Sequence, residues 1–223
     1  MNISVAIDGP AGSGKSTIAK ILGKRLNFFY IDSGAFYRTV TLYFLRKKID
    51  LEDTVAVENA LEEMKLNVVP AEGAFNIYLD EELMQQQIRT RDVTFNVSPV
   101  SALMPVRERL NSIFRELSHT KSVIMEGRDI GTVVLPNASF KFFLNASVEE
   151  RARRRLKELE EKGERHSLDD IKKQIERRDR LDSTREIAPL KKAADANEVD
   201  TTGMTIEEVV EEIMMDVEGE TSR

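Results

Sequence analysis

The segment Gly9-Pro10-Ala11-Gly12-Ser13-Gly14-Lys15-Ser16 constrains this chain more than any other. It follows a short β-prone run, Ile3 to Ile7, and precedes Ile18, Ile21, Leu22 and Leu26 at helical spacing. A G-x-x-x-x-G-K-[ST] string between a strand and a helix is a phosphate-binding loop. Its glycines let successive backbone N–H groups turn inward as an anion nest. The helix behind it points its positive dipole end at the same anion. Lys15 adds a point charge near the β and γ phosphates, Ser16 offers a hydroxyl to Mg2+, and Thr17 reaches the α phosphate. Gly9, Pro10, Ala11, Gly12, Ser13, Gly14, Lys15, Ser16 and Thr17 are therefore the expected ATP-binding set, with Ser16 as the metal contact.

Other strand-and-helix alternations follow. Strands are expected at Phe28 to Ile31, Ser122 to Met125, Lys141 to Leu144 and Glu198 to Asp200. Helices are expected over 35–47, 52–66 and 100–117, and behind the capping signatures Ser147…Glu150, Ser167…Asp170 and Thr205…Glu208. Residues 68–69, 75–79 and 83–88 break this rhythm and read as a small antiparallel sheet, while 218–223 read as a frayed end. The order predicts an α/β fold, a three-layer P-loop NTPase with a central five-stranded parallel sheet, whose ligands bind beyond the carboxyl ends of the strands.

Composition narrows the chemistry. The 223 residues include no cysteine, which excludes disulfides, thiolate metal sites and cysteine nucleophiles. His119 and His166 lie apart among polar residues and read as solvated. No apolar run is long enough to span a membrane, and MNISVAIDGP has no secretory pattern, so a cytoplasmic location and no membrane partner are expected. A net charge of −6 argues against a nucleic-acid partner, yet arginines crowd residues 151–185, which suits a small polyanion. A guanine-reading N-K-x-D segment is absent, and D-x-x-G occurs only at Asp216 to Gly219, which argues against a GTPase switch. Arg38, Arg107, Arg128, Arg178 and Arg185 supply the cations that phosphoryl transfer between small molecules needs.

Five ordered motifs extend the reading: IDGPAGSGKST; Asp32-Ser33-Gly34-Ala35-Phe36-Tyr37-Arg38; Val97-Ser98 with Pro105-Val106-Arg107; Glu126 to Val134 (EGRDIGTVV); and Arg178 to Arg185 (RDRLDSTR), followed by Pro189-Leu190 and Ala194-Asp195-Ala196. Together they resemble the bacterial cytidylate kinases, P-loop nucleoside monophosphate kinases, from residue 7 to about 201. The resemblance implies transfer of the γ-phosphoryl group of ATP to CMP or dCMP with Mg2+; nothing in the sequence demands an oligomer, so a monomer is expected. It implies a P-loop core (1–34, 90–149 and 166–223), a nucleoside-monophosphate module with the β insertion (35–89), and a lid (150–165). By position, Ser98, Arg107 and Asp129 read the cytosine edge, and Asp182 with Arg178 holds the ribose. Ser33, Tyr37, Arg38, Arg128 and Arg185 surround the acceptor phosphate. The catalytic set is Lys15, Arg128, Arg178 and Arg185, helped by Arg151 and Arg155 of the lid. Alternatives stay open: structural pairing of Asp129 and Asp182 with Arg128 and Arg185, a core role for Tyr37, a solvated Arg151–Arg155 stretch, and another small P-loop kinase of the adenylate or shikimate type.

Overall fold

A computed structural model describes residues 2–161 and 163–221. Five strands form the parallel centre: β1 (Ser4–Asp8), β2 (Phe29–Asp32), β6 (Val123–Gly127), β7 (Phe140–Asn145) and β8 (Asn197–Asp200). They lie in the order β2-β6-β1-β7-β8. The register sets Asp8 beside Gly127 and Asp32 beside Glu126, so three strands end level at one rim.

The insertion is β3 (Leu66–Ala71), β4 (Ala74–Leu79) and β5 (Glu82–Leu83), paired antiparallel. It is not a separate sheet. Tyr30 of β2 bridges Ala74 of β4, which makes one eight-stranded sheet. The expected strand over 83–88 stops at Leu83, and a 3-10 turn takes Gln87–Arg89 instead.

Helices α1 (Lys15–Leu26) and α8 (Ile206–Thr221) cover one face over Val5, Ile7, Ile124 and Phe142. Helices α2 (Ser33–Lys47), α3 (Thr54–Glu63), α4 (Arg91–Ala102) and α5 (Met104–Thr120) cover the other around Phe36, Phe44 and Phe114. The helix expected over 100–117 is thus two. Leu103 is extended, and Pro105, which lacks an N–H, opens α5 rather than prolonging α4. Thr90 caps α4 through the Val93 N–H, and α8 stays helical to Thr221 where fraying was expected, with 222–223 outside the described residues.

Helices α6 (Val148–Glu160) and α7 (Leu168–Thr184) form an antiparallel hairpin with its own small core, Ala152, Leu159, Ile171 and Ile175. All three expected caps form: Ser147 to Glu150, Ser167 to Asp170, and a reciprocal box between Thr205 and Glu208. Residue 162, inside the expected lid span, lies outside the described residues. No described helix is long and apolar enough to cross a membrane.

Candidate active site

The loop after β1 turns tightly because its glycines permit it. Gly9 has φ of 149°, and a Cβ there would stand 2.0 Å from the Leu144 carbonyl oxygen. Gly14, at φ of 90°, is the left-handed residue from which α1 starts. Lys15 is buried and donates to the Pro10 carbonyl at 2.6 Å and to Ser13 Oγ at 3.2 Å. Burial first, then the Arg128 guanidinium, holds its pKa well below the ordinary lysine value. Ser16 and Thr17 are exposed on the first turn.

Asp8 ends β1 and accepts the Ile130 and Gly131 N–H groups at 2.8 and 2.7 Å. It thereby ties the loop strand to the turn carrying Arg128 and Asp129. Burial, only partly offset by those bonds, raises its pKa to about 6. Glu126 ends β6, is buried, and accepts the Tyr30 hydroxyl at 2.7 Å. Asp32 caps α2 through the Ala35 N–H at 2.9 Å and meets Arg89 at 3.5 Å. Its pKa is raised by burial and by the Glu126 charge.

Two carboxylates organise the arginines. Asp182 takes Arg128 Nε at 2.9 Å, Arg178 Nε at 3.8 Å and the Ser98 hydroxyl at 3.3 Å. Burial works to raise its pKa, but Arg128 and Arg178 outweigh burial and hold it below the usual range. Asp129 pairs with buried Arg107 and, at 3.3 Å, with Arg185. Arg185 also reaches Ser101 Oγ at 3.3 Å. The partners are therefore crossed relative to the structural alternative in the sequence: Arg185 goes to Asp129 and Arg128 to Asp182. Ser98 joins the Asp182 group rather than the Arg107–Asp129 pair.

Tyr37 combines both of its readings. Its ring packs beside Phe114 at 6.3 Å, and the Arg107 guanidinium carbon stands 5.6 Å from the ring centroid. Its buried hydroxyl has no hydrogen-bond partner among the described residues, and burial raises its pKa to about 12. Ser33 is buried and donates to the Glu126 carbonyl at 2.6 Å.

The remaining cations share one space. Arg38 is lowered by burial, though drawn back by Asp32, and then by Arg89, Arg128 and Arg155. Arg178 is lowered to about 10 by burial, then by Arg128, with Arg38 adding to it, and its Nε lacks a hydrogen-bond partner. Guanidinium groups that depress one another lack sufficient counter-charge, which is the condition of an anion site.

Arg151 and Arg155 part company. Arg155 is exposed and pairs with Glu158 at 2.8 Å, while its charge is felt at Arg38. Arg151 is buried, so a solvated reading of it is wrong; it donates to the Ala11 and Ala146 carbonyls at 3.0 Å and to Asp179 at 2.6 Å. It braces the loop apex. Arg154, which motif reading passed over, bonds Thr201 at 3.0 and 2.7 Å, and Thr201 reaches the Ser13 carbonyl at 3.4 Å. Asp8, Tyr30, Asp32 and Glu126 were also passed over as site residues, although each sits near the carboxyl end of a strand. Both histidines are exposed.

A sequence profile of the family described as cytidylate kinase matches residues 5–219. A cytidylate kinase of Carboxydothermus hydrogenoformans is 48% identical over 210 residues, covering 94% of this chain and 95% of that protein. One from Clostridioides difficile is 49% identical over 213 residues, covering 96% and 97%. Among solved structures, an uncharacterized protein from Eubacterium ventriosum superposes with a TM-score of 0.56 at 11% identity, covering 97% of this chain and 99% of that one, which speaks for the fold alone. The chain belongs to the cytidylate kinase family and is an enzyme of the kinase class.

Proposed function

We propose that this enzyme transfers the γ-phosphoryl group of ATP directly to a phosphate oxygen of CMP or dCMP, giving ADP and CDP or dCDP. One observation carries the reading: Lys15, Arg38, Arg128, Arg155 and Arg178 act on one another electrostatically, next to the loop that receives a triphosphate. The acceptor oxygen forms a bond to the γ phosphorus as the bond to the bridging oxygen of ADP breaks. No covalent enzyme intermediate is required; positioning and charge suffice. Lys15 exchanges the Pro10 carbonyl for phosphate oxygens, and Arg128, Arg178 and Arg185 meet the charge that develops.

On the acceptor side, Ser33, Tyr37, Arg38 and Arg128 surround the phosphate, and Ser98, Arg107 and Asp129 read the cytosine edge. Asp182 keeps acceptor capacity for a ribose hydroxyl, because a carboxylate offers about four lone-pair sites. Arg155 contributes from the hairpin. We take 35–89 as the acceptor module, 150–165 as the lid and the rest as the core, working as a cytosolic monomer.

Mg2+ fits the donor half. Hard oxygens suit it, and Ser16 and Glu126 supply them. Mg2+ keeps several waters and takes further ligands from phosphates, so one or two protein oxygens suffice. When bound, it neutralises charge on the β and γ oxygens.

The test is ADP release with CMP, dCMP, UMP, AMP and shikimate as acceptors. Turnover is expected with CMP and dCMP foremost; a preference for AMP or shikimate would overturn the assignment.

A further inference from the structure

Glu126 is a buried carboxylate without an ion pair, and the Tyr30 hydroxyl is its one hydrogen-bond donor among the described residues. Its second carboxylate oxygen has no hydrogen-bond partner among the described residues. In the β1–β6 register it lies opposite Ile7, one residue before Asp8 at the base of the donor loop, and its charge is felt at Lys15. The Ser16 hydroxyl, on the first turn of α1, acts on the Tyr30 phenol as well. Tyr30 itself has little freedom. Its N–H donates to the Gly73 carbonyl at 3.0 Å, its Cβ packs on α1 at Gly23, and the Lys20 ammonium stands 5.6 Å from its ring centroid. A stiff phenol thus holds one oxygen of a flexible glutamate near the first turn of α1.

We propose that Tyr30 is a positioning residue of the donor half: its hydroxyl holds the Glu126 carboxylate in the one orientation that places it beside Ser16, where the two oxygens together receive hydrated Mg2+. This rests on the nucleotide-kinase reading above. A glutamate has three side-chain torsions, and without the phenol it would swing among rotamers, so ordering it in advance removes an entropic cost from metal binding. The Tyr30–Glu126 bond is charge-assisted and short, the stronger kind.

The experiment is calorimetric titration of ADP into the full chain, in Mg2+ and in EDTA, without any acceptor. Tyr30→Phe is expected to lose about tenfold of the Mg2+-dependent gain in ADP affinity while leaving the affinity in EDTA unchanged, the scale of a hydrogen bond to a charged group. In turnover, kcat falls and KM for CMP does not. Glu126→Gln combined with Tyr30→Phe loses no more of the Mg2+ gain than Glu126→Gln alone. A full Mg2+ gain in Tyr30→Phe overturns the proposal, as does an equal loss in EDTA, which marks a merely structural residue. Should Tyr30→Phe not fold, Glu126→Gln decides alone: a retained Mg2+ gain overturns the proposal, and a lost gain supports it. Because no acceptor is present, the outcome is independent of whether CMP is the substrate.

Discussion

Lys15 shows at the scale of one residue how the free site is poised. Its ammonium is buried and rests on the Pro10 carbonyl, a neutral partner, while burial and Arg128 depress its pKa. On the proposed function, a triphosphate would replace that carbonyl with anionic oxygens and remove the depression. Lys15→Ala should therefore lower kcat by roughly a hundredfold or more with far-UV circular dichroism unchanged, the scale of losing one preplaced charge in a dry site; near-normal turnover would remove Lys15 from the chemistry. Asp8 gives a pH signature. Its carboxyl-carbon NMR titration should have a midpoint near 6, against about 4 for an ordinary aspartate. The folded chain then holds this proton more tightly than the unfolded chain. Asp8's contribution to stability is accordingly most favourable below about pH 4 and declines as pH rises to about 6. Asp182 has the opposite sign, since its contribution is present above the usual carboxylate range and lost as pH falls. An ordinary midpoint for Asp8 would mean that the rim of the sheet is wetter than its burial indicates.

At the scale of elements, two carboxylates stitch helices to strands. Asp129 follows β6 and pairs with Arg107 of α5 and with Arg185 just past α7. Removing one member of such a buried group strands the others. Asp129→Ala should cost about 3–5 kcal/mol in urea unfolding, whereas a cost under about 1 kcal/mol would show that water relieves the arginines. Helix α7 carries Asp179, which meets Arg151 behind the phosphate loop, and one turn later Asp182, which meets Arg128 and Arg178. The hairpin it forms with α6 has only a small core of its own. Native-state hydrogen exchange should open amides of α6 and α7 at lower free energy than those of β1 and β6; equal protection would make the hairpin part of one rigid body with the sheet.

Across the whole molecule, the elements legible in the sequence are those with local causes. The phosphate loop needs its glycines and lysine in a row, and the caps at Ser147, Ser167 and Thr205 are written within four residues. Alternation of strand and helix gives the parallel centre. Partnerships across the chain were not legible. Nothing local tells that Arg185 meets Asp129 rather than Asp182, that Arg151 turns inward while Arg155 stays out, or that Tyr30 reaches Glu126, 96 positions further on. The joining of the insertion to the main sheet rests on one bridge, Tyr30 to Ala74, which periodicity cannot register. The α4–α5 break was visible in Pro105, though an apolar helical pattern running through it hid the start at Arg91. The molecule that results puts a donor loop and a ring of arginines on one rim of the sheet, held apart by two carboxylates and bridged by a helical hairpin. On the proposed function that arrangement is a two-nucleotide site, with phosphoryl transfer between its halves. Incubation with ATP labelled in the γ-phosphoryl group, in the presence of CMP, tests it most directly: the label should appear in the β position of CDP, whereas label released only as inorganic phosphate, with no CDP or dCDP formed from either acceptor, would contradict it.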